Sequence, residues 1–125
     1  WEYAARAGAA TTFWYGDAIE ELDRFAWYRD NAGDRPHGVG RRGASGFGLY
    51  DMMGNLFEWT LENHGGYTTS PRRGDGLRHE PVGGGFRVVR GGGWGFAADG
   101  ARSAFRYVDH PGARHGALGF RPVVR

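Results

Sequence analysis

The stretch GLYDMMGNLFEW, residues 48–59, decides how the rest of this chain is read. Asp51 and Glu58 stand seven residues apart on either side of Gly54 and Asn55. If the chain turns at Gly54, the two carboxylates and the carbonyls between them converge on one cation. Calcium suits such a set, because it takes roughly six to eight hard oxygens, some of them from the backbone, in a looser geometry than magnesium's octahedron. The same residues have a plainer use. Asp51 can cap a turn, and Glu58 can pair with one of the many arginines.

Outward from this stretch, glycine organises the chain. There are 24 glycines, with triplets at 83–85 and 91–93, a density that disfavours long helices and regular sheet. Two stretches read as short helices. Residues 2–7 (EYAARA) are alanine-rich and end at Gly8, a C-cap, while Asp17 followed by Glu20 makes a capping box leading into Ile19, Leu22, Phe25 and Ala26. Strands are expected at residues 86–90 (FRVVR), 101–107 (ARSAFRY) and 119–124 (GFRPVV), where apolar residues alternate with arginine. Pro122 marks an edge or a strand end. Residues 63–81 are polar and rich in glycine and proline, and read as an exposed loop.

A length of 125 residues sets the scale: one domain, able to bury a core without staples. Aliphatic residues are few, but 8 Phe, 6 Tyr and 5 Trp take their place, so an aromatic core is expected. All 16 basic residues are arginine. With a net charge of only +2 the balance does not suit a dedicated nucleic-acid binder. Zero cysteine excludes disulfides, thiolate nucleophiles and thiolate-held zinc or copper. No apolar run reaches the roughly 18 residues of a membrane span, and no charged-then-apolar leader is present, which points to a soluble chain away from membranes.

Five ordered motifs carry a family resemblance: WEYAARAG at 1–8, FAWYRDNAG at 25–33, GLYDMMGNLFEW at 48–59, RVVRGGGW at 87–94 with ARSAFR at 101–106, and GFRPV at 119–123. Together they resemble the formylglycine-generating-enzyme, or sulfatase-modifying-factor, family. The resemblance implies a C-type-lectin-like α+β fold of low regular structure, with short helices and a small antiparallel sheet, as a single domain over residues 1–125. It also implies calcium held by the Asp51 side chain, the Gly54 and Leu56 carbonyls and the Glu58 carboxylate. Family members carry an N-terminal portion ahead of the region matching WEYAARAG. This leaves a reduced fold, an unseen preceding portion, self-association or a second chain completing the sheet as open expectations.

Catalytic relatives oxidise a substrate cysteine with oxygen on a copper held by two cysteines. One of those positions falls at Ser103 here and the other near Ala98. Neither a methyl nor a hydroxyl replaces thiolate toward Cu(I), so the oxidase chemistry and its copper are expected to be absent. The expected role is then a non-catalytic, calcium-stabilised ligand-binding domain. The alternative is an oxidase or oxygenase relative that uses another cofactor or a partner domain. The same fold and motif order occur in variable proteins of diversity-generating retroelements. Residues 95–118 contain no Glu, Gln, Lys, Met or Trp, as randomised NNY codons would leave them.

A ligand face for a protein or small molecule is therefore expected from residues 94–118, with Trp94, Phe96, Asp99, Tyr107, Asp109, His110, Arg114 and His115 as its candidates. Aromatic rings offer contact area at low entropy cost, and small residues adapt. For Trp94 and Phe105 a place in the core is the stronger reading. Gly38, Gly40 and Gly43 spell GxGxxG without the strand and helix that would bind phosphate. The histidines lack metal spacing, and Ser103 near His and Asp in sequence does not make a triad. Arg87, Arg90, Arg102, Arg106 and Arg121 are expected to stack or pair inside the fold.

Overall fold

A computed structural model of the chain describes residues 1–67, 70–74 and 85–123. Helix α1 spans Glu2–Arg6, in the alanine-rich opening. It closes one residue before the glycine expected to stop it: Ala7 turns left-handed, at φ 48°, and its N–H reaches the Tyr3 carbonyl. The capping box at Asp17 and Glu20 does not form. Asp17 Oδ1 accepts the Thr12 N–H at 2.8 Å instead. Ala18 takes the cap position, and Ile19–Arg24 winds as a 3-10 helix.

That 3-10 helix delivers Leu22 into a core with Phe13, Ala26, Met53 and Ala101, walled by Trp14, Tyr15, Phe25 and Tyr28. The rings do the packing. Phe13 stacks on Tyr15 at 5.3 Å, Tyr15 on Phe25 at 4.5 Å, and Trp14 meets Phe25 edge-on at 4.8 Å. This is the aromatic core expected from composition. Offset and edge-to-face pairs of this kind add about 0.5–1.5 kcal/mol each beyond area burial.

Among the described residues, four strands make one sheet: β1 (Phe57–Asn63), β2 (Arg87–Arg90), β3 (Tyr107–Asp109) and β4 (Leu118–Gly119), in spatial order β3-β2-β1-β4. The β1–β2 and β2–β3 pairings are antiparallel, and β1–β4 is parallel, so this small sheet is mixed. The central strand β1 begins inside the segment read as a cation loop. It was not among the expected strands, although FEWTL alternates apolar and polar residues. The strand expected at 86–90 forms as β2, with Val88 and Val89 fully buried.

Two expected strands shrink. Residues 101–106 do not pleat: a 3-10 turn at Ala98–Ala101 precedes them, and strand begins only at Tyr107. The cause is Arg90. Its buried guanidinium takes the carbonyls of Ser103, Ala104 and Phe105 at 3.0, 3.0 and 2.8 Å, holding them toward a side chain instead of a neighbouring strand. At the C-terminal end only Leu118 and Gly119 pair with β1. Arg121 turns its side chain to Glu58, and Pro122 has no N–H to donate. Val124 lies outside the described residues, as do 68–69 and 75–81 of the expected loop. Among the described residues, no helix is long and apolar enough to cross a membrane.

Candidate functional site

Gly54 is where the chain turns. Its φ is +71°, and a Cβ built there would stand 2.2 Å from the Trp27 carbonyl oxygen, so only glycine fits. The close approach lets Asn55 N–H donate to that oxygen at 2.7 Å, while Gly54 N–H donates to the Gly91 carbonyl at 2.6 Å. Asn55, also left-handed at φ 60°, is buried and grips His37 from both ends of its amide. Its Oδ1 accepts the His37 N–H at 2.9 Å, and its Nδ2 donates to the His37 carbonyl at 3.1 Å. The Asn55 carbonyl receives the Trp94 N–H at 2.8 Å. His37 and the Arg42 guanidinium both lie on the Trp27 ring, at 3.8 and 3.6 Å from its centroid. Two residues thus tie four separate segments together.

On either side stand the two carboxylates. Asp51 has φ 56°, a conformation that Asp tolerates better than most residues, and its Oδ2 accepts the Gly40 N–H at 2.7 Å. Glu58 is 7% exposed and heavily engaged. Arg121 forks onto it, Nε to Oε2 at 3.0 Å and Nη2 to Oε1 at 2.7 Å, and the Trp1 indole N–H donates to Oε2 at 2.7 Å. Arg121 Nη2 also donates to the Tyr50 carbonyl at 2.7 Å. Asp51, Leu56, Glu58 and Arg121 line one cavity of about 420 Å³, with Val39, Tyr50, Phe120 and Pro122 around it.

The donor chemistry fits a hard divalent ion. Asp51 keeps one oxygen clear of hydrogen bonds, and among the described residues no loop or side-chain hydrogen bond ends on the Gly54 or Leu56 carbonyl. Glu58 is the exception, since its counter-charge is already supplied by Arg121. Among the described residues no three His, Asp or Glu side chains gather for a metal, so an ion here would rest on two carboxylates and backbone oxygens. Sequence reasoning missed Trp1 and the pairing of Arg121 with Glu58 in particular, although an arginine paired inside the fold was expected. The partners are 63 residues apart, and nothing local joins them.

The expected ligand face divides in two. Phe96 and Tyr107 pack on buried Phe57, at 4.7 and 5.3 Å, and belong half to the core. Trp94 is half-buried, with its indole N–H on the Gly116 carbonyl at 2.9 Å, and Phe105 is half-buried too. Asp99, His110, Arg114 and His115 are exposed. Asp109 Oδ2 and His115 Nε2 pair at 2.8 Å, which, as the main cause, holds the Asp109 carboxyl below its ordinary range; the His110 N–H on Oδ1 adds to this. His115 Nδ1 accepts the Ala117 N–H at 3.3 Å, which places the ring proton of neutral His115 on Nε2. Arg114 and His115 line a shallow depression with Trp59, Pro111 and Phe120. Trp59 and Phe120 were not among the expected face residues.

Of the positions matched to copper ligands, one is buried and the other falls near half-buried Ala98. Ser103 is 1% exposed, and its Oγ is buried without a hydrogen-bond partner among the described residues. Ala98 packs against the aromatic core.

Compared with known proteins, residues 1–125 match the model of the sulfatase-modifying factor enzyme 1-like domain. The chain is 31% identical over 136 residues to the inactive C-alpha-formylglycine-generating enzyme 2 of Mus musculus, covering 97% of this chain and 39% of that protein. It is 33% identical over 130 residues to hercynine oxygenase of Mycolicibacterium thermoresistibile, covering 97% of this chain and 29% of that protein. Among solved structures it is similar to Treponema denticola variable protein 1, at 32% identity and TM-score 0.82, over 96% of this chain and 43% of that one. The chain spans less than half the length of the curated relatives it matches.

Proposed function

Because the chain belongs to the sulfatase-modifying factor enzyme 1-like family and has its C-type-lectin-like fold, we propose that this domain binds a ligand and does not perform the family's thiol oxidation. Ser103 carries the reading. At a position that resemblance assigns to a copper-binding cysteine stands a hydroxyl sealed in the interior, and its partner position is a methyl. A hard, buried hydroxyl is a poor ligand for Cu(I). The fold remains while the chemistry is removed, a separation the fold permits.

The ligand meets the exposed side chains of residues 94–118, chiefly Asp99, Tyr107, His110, Arg114 and His115, with Trp94 as a half-buried ring behind them. Calcium stiffens the scaffold from the loop, with Asp51, Gly54, Leu56 and Glu58 as the residues that would hold it. When bound, the ion supplies charge and coordination to a loop otherwise fixed by hydrogen bonds. The similarity to a variable protein supports diversification of this face by a retroelement. Sequencing a neighbouring template repeat tests that point: differences must be confined to adenines in codons of the 95–118 window.

Metal analysis combined with oxygen uptake on thiol substrates tests the whole reading. Stoichiometric copper or iron with turnover rejects it. The similarity to hercynine oxygenase favours a second reading, in which the domain is part of an oxygenase whose cofactor is held elsewhere. Turnover in the longer protein but not in this domain would favour that one.

A further inference from the structure

Glu58 is asked to serve two cations. The calcium reading above, on which this inference rests, needs its carboxylate; the structure gives both of its oxygens to Arg121. We propose that Arg121 is the built-in competitor of calcium, so that ion binding at the loop and the Arg121 clamp on Glu58 exclude one another.

Charge is the first ground. Asp51 and Glu58 line the same cavity, and Arg121 is the cation that lines it with them. With Arg121 in place the three side chains sum to one negative charge, and without it to two. A divalent ion at the Glu58 oxygens would meet a guanidinium already within hydrogen-bond distance of both, at 2.7 and 3.0 Å. In a partly buried site that repulsion is only weakly screened.

Connectivity is the second. The Arg121 fork is planar and bidentate, so it does not swing aside while keeping one good bond as a lysine would. Arg121 also holds the Tyr50 carbonyl, next to Asp51, and stands two residues beyond the end of β4. Releasing Glu58 therefore frees the segment that carries Phe120 and Pro122, which wall the same cavity. Phe120 lines the Arg114 and His115 depression as well. Calcium entry is thereby coupled to the edge of the proposed ligand face, through the last residues of the sheet.

Calorimetric titration of calcium chloride into the whole chain and its Arg121→Gln and Arg121→Lys variants tests this. Arg121→Gln removes the charge and should bind calcium about tenfold more tightly than the wild type, a change of about 1.4 kcal/mol. Arg121→Lys keeps the charge but loses the fork, and should bind calcium more tightly than the wild type and less tightly than Arg121→Gln. If Arg121→Gln fails to fold, the wild type still answers: labelling with an arginine-selective dicarbonyl, resolved by peptide mass, should show Arg121 becoming more reactive as calcium is added. Equal calcium affinity in all three proteins, or unchanged Arg121 reactivity while calcium binds, overturns the competition and leaves the calcium reading intact. No calcium binding by the wild type or by a folded Arg121→Gln variant overturns both.

Discussion

The loop at residues 51–58 and the loop at residues 109–115 are held in opposite ways. In the first, side-chain hydrogen bonds reach far along the chain: Asn55 to His37 across 18 residues, Glu58 to Trp1 across 57, and Glu58 to Arg121 across 63. In the second, the bonds made by the Asp109, His110 and His115 side chains reach six residues at most. A segment stabilised by distant partners is fixed by the whole fold, and it fixes the fold in return. A segment whose side-chain hydrogen bonds stay among its own neighbours can change those side chains and leave the remainder standing, its backbone still tied to β2 at Asp109. That difference is what the proposed display surface requires.

The sharpest way to break the scaffold side is Gly54→Ala. Its Cβ would overlap the Trp27 carbonyl in a backbone region disfavoured for alanine. Loss of more than about 4 kcal/mol is expected, read as a missing cooperative transition in denaturant unfolding. Next comes Arg90, 3% exposed, which pairs with Glu2, holds three carbonyls and lies 5.4 Å over the Trp1 ring. Arg90→Ala should cost about 3–5 kcal/mol by the same measurement, because it strands buried acceptors as well as a carboxylate.

Acid unfolding sharpens the comparison. Burial alone would raise the Glu2 carboxyl, but hydrogen bonds and charge from Arg6 and Arg90 outweigh it and hold the group below its ordinary 4.5. A folded-state value below the unfolded one gives stability that is present above pH 4.5 and lost as pH falls through the folded value. Glu2→Gln should flatten that acid limb of a melting-temperature profile. An unaltered limb would remove Glu2 from the account. The smallest effect belongs to the face. Asp109→Asn with His115→Gln should shift stability by no more than about 1 kcal/mol, since this pair is exposed and local. A larger loss would mean that residues 109–115 are scaffold after all.

Much of this was legible beforehand. The glycine count spoke for loops, the rings for the core, and FRVVR for a strand, because each depends on residues close in sequence. The shortfall has a common origin. ARSAFRY alternates as a strand should, yet the Arg90 side chain takes three of its carbonyls from across the fold. Asp17 has a capping box's spacing, yet its carboxylate is engaged by Thr12 before the helix begins. A local pattern states what a segment can do, and a distant polar group then decides which option it takes.

The sequence by itself determined the family, the turn at Gly54 and the absence of thiols, since these follow from residue identity and from backbone freedom at single positions. Only the tertiary structure decided that Arg121, of 16 arginines, is the one on Glu58. Pairing between charges far apart in the chain depends on where the fold sets them down, and spacing carries no record of that.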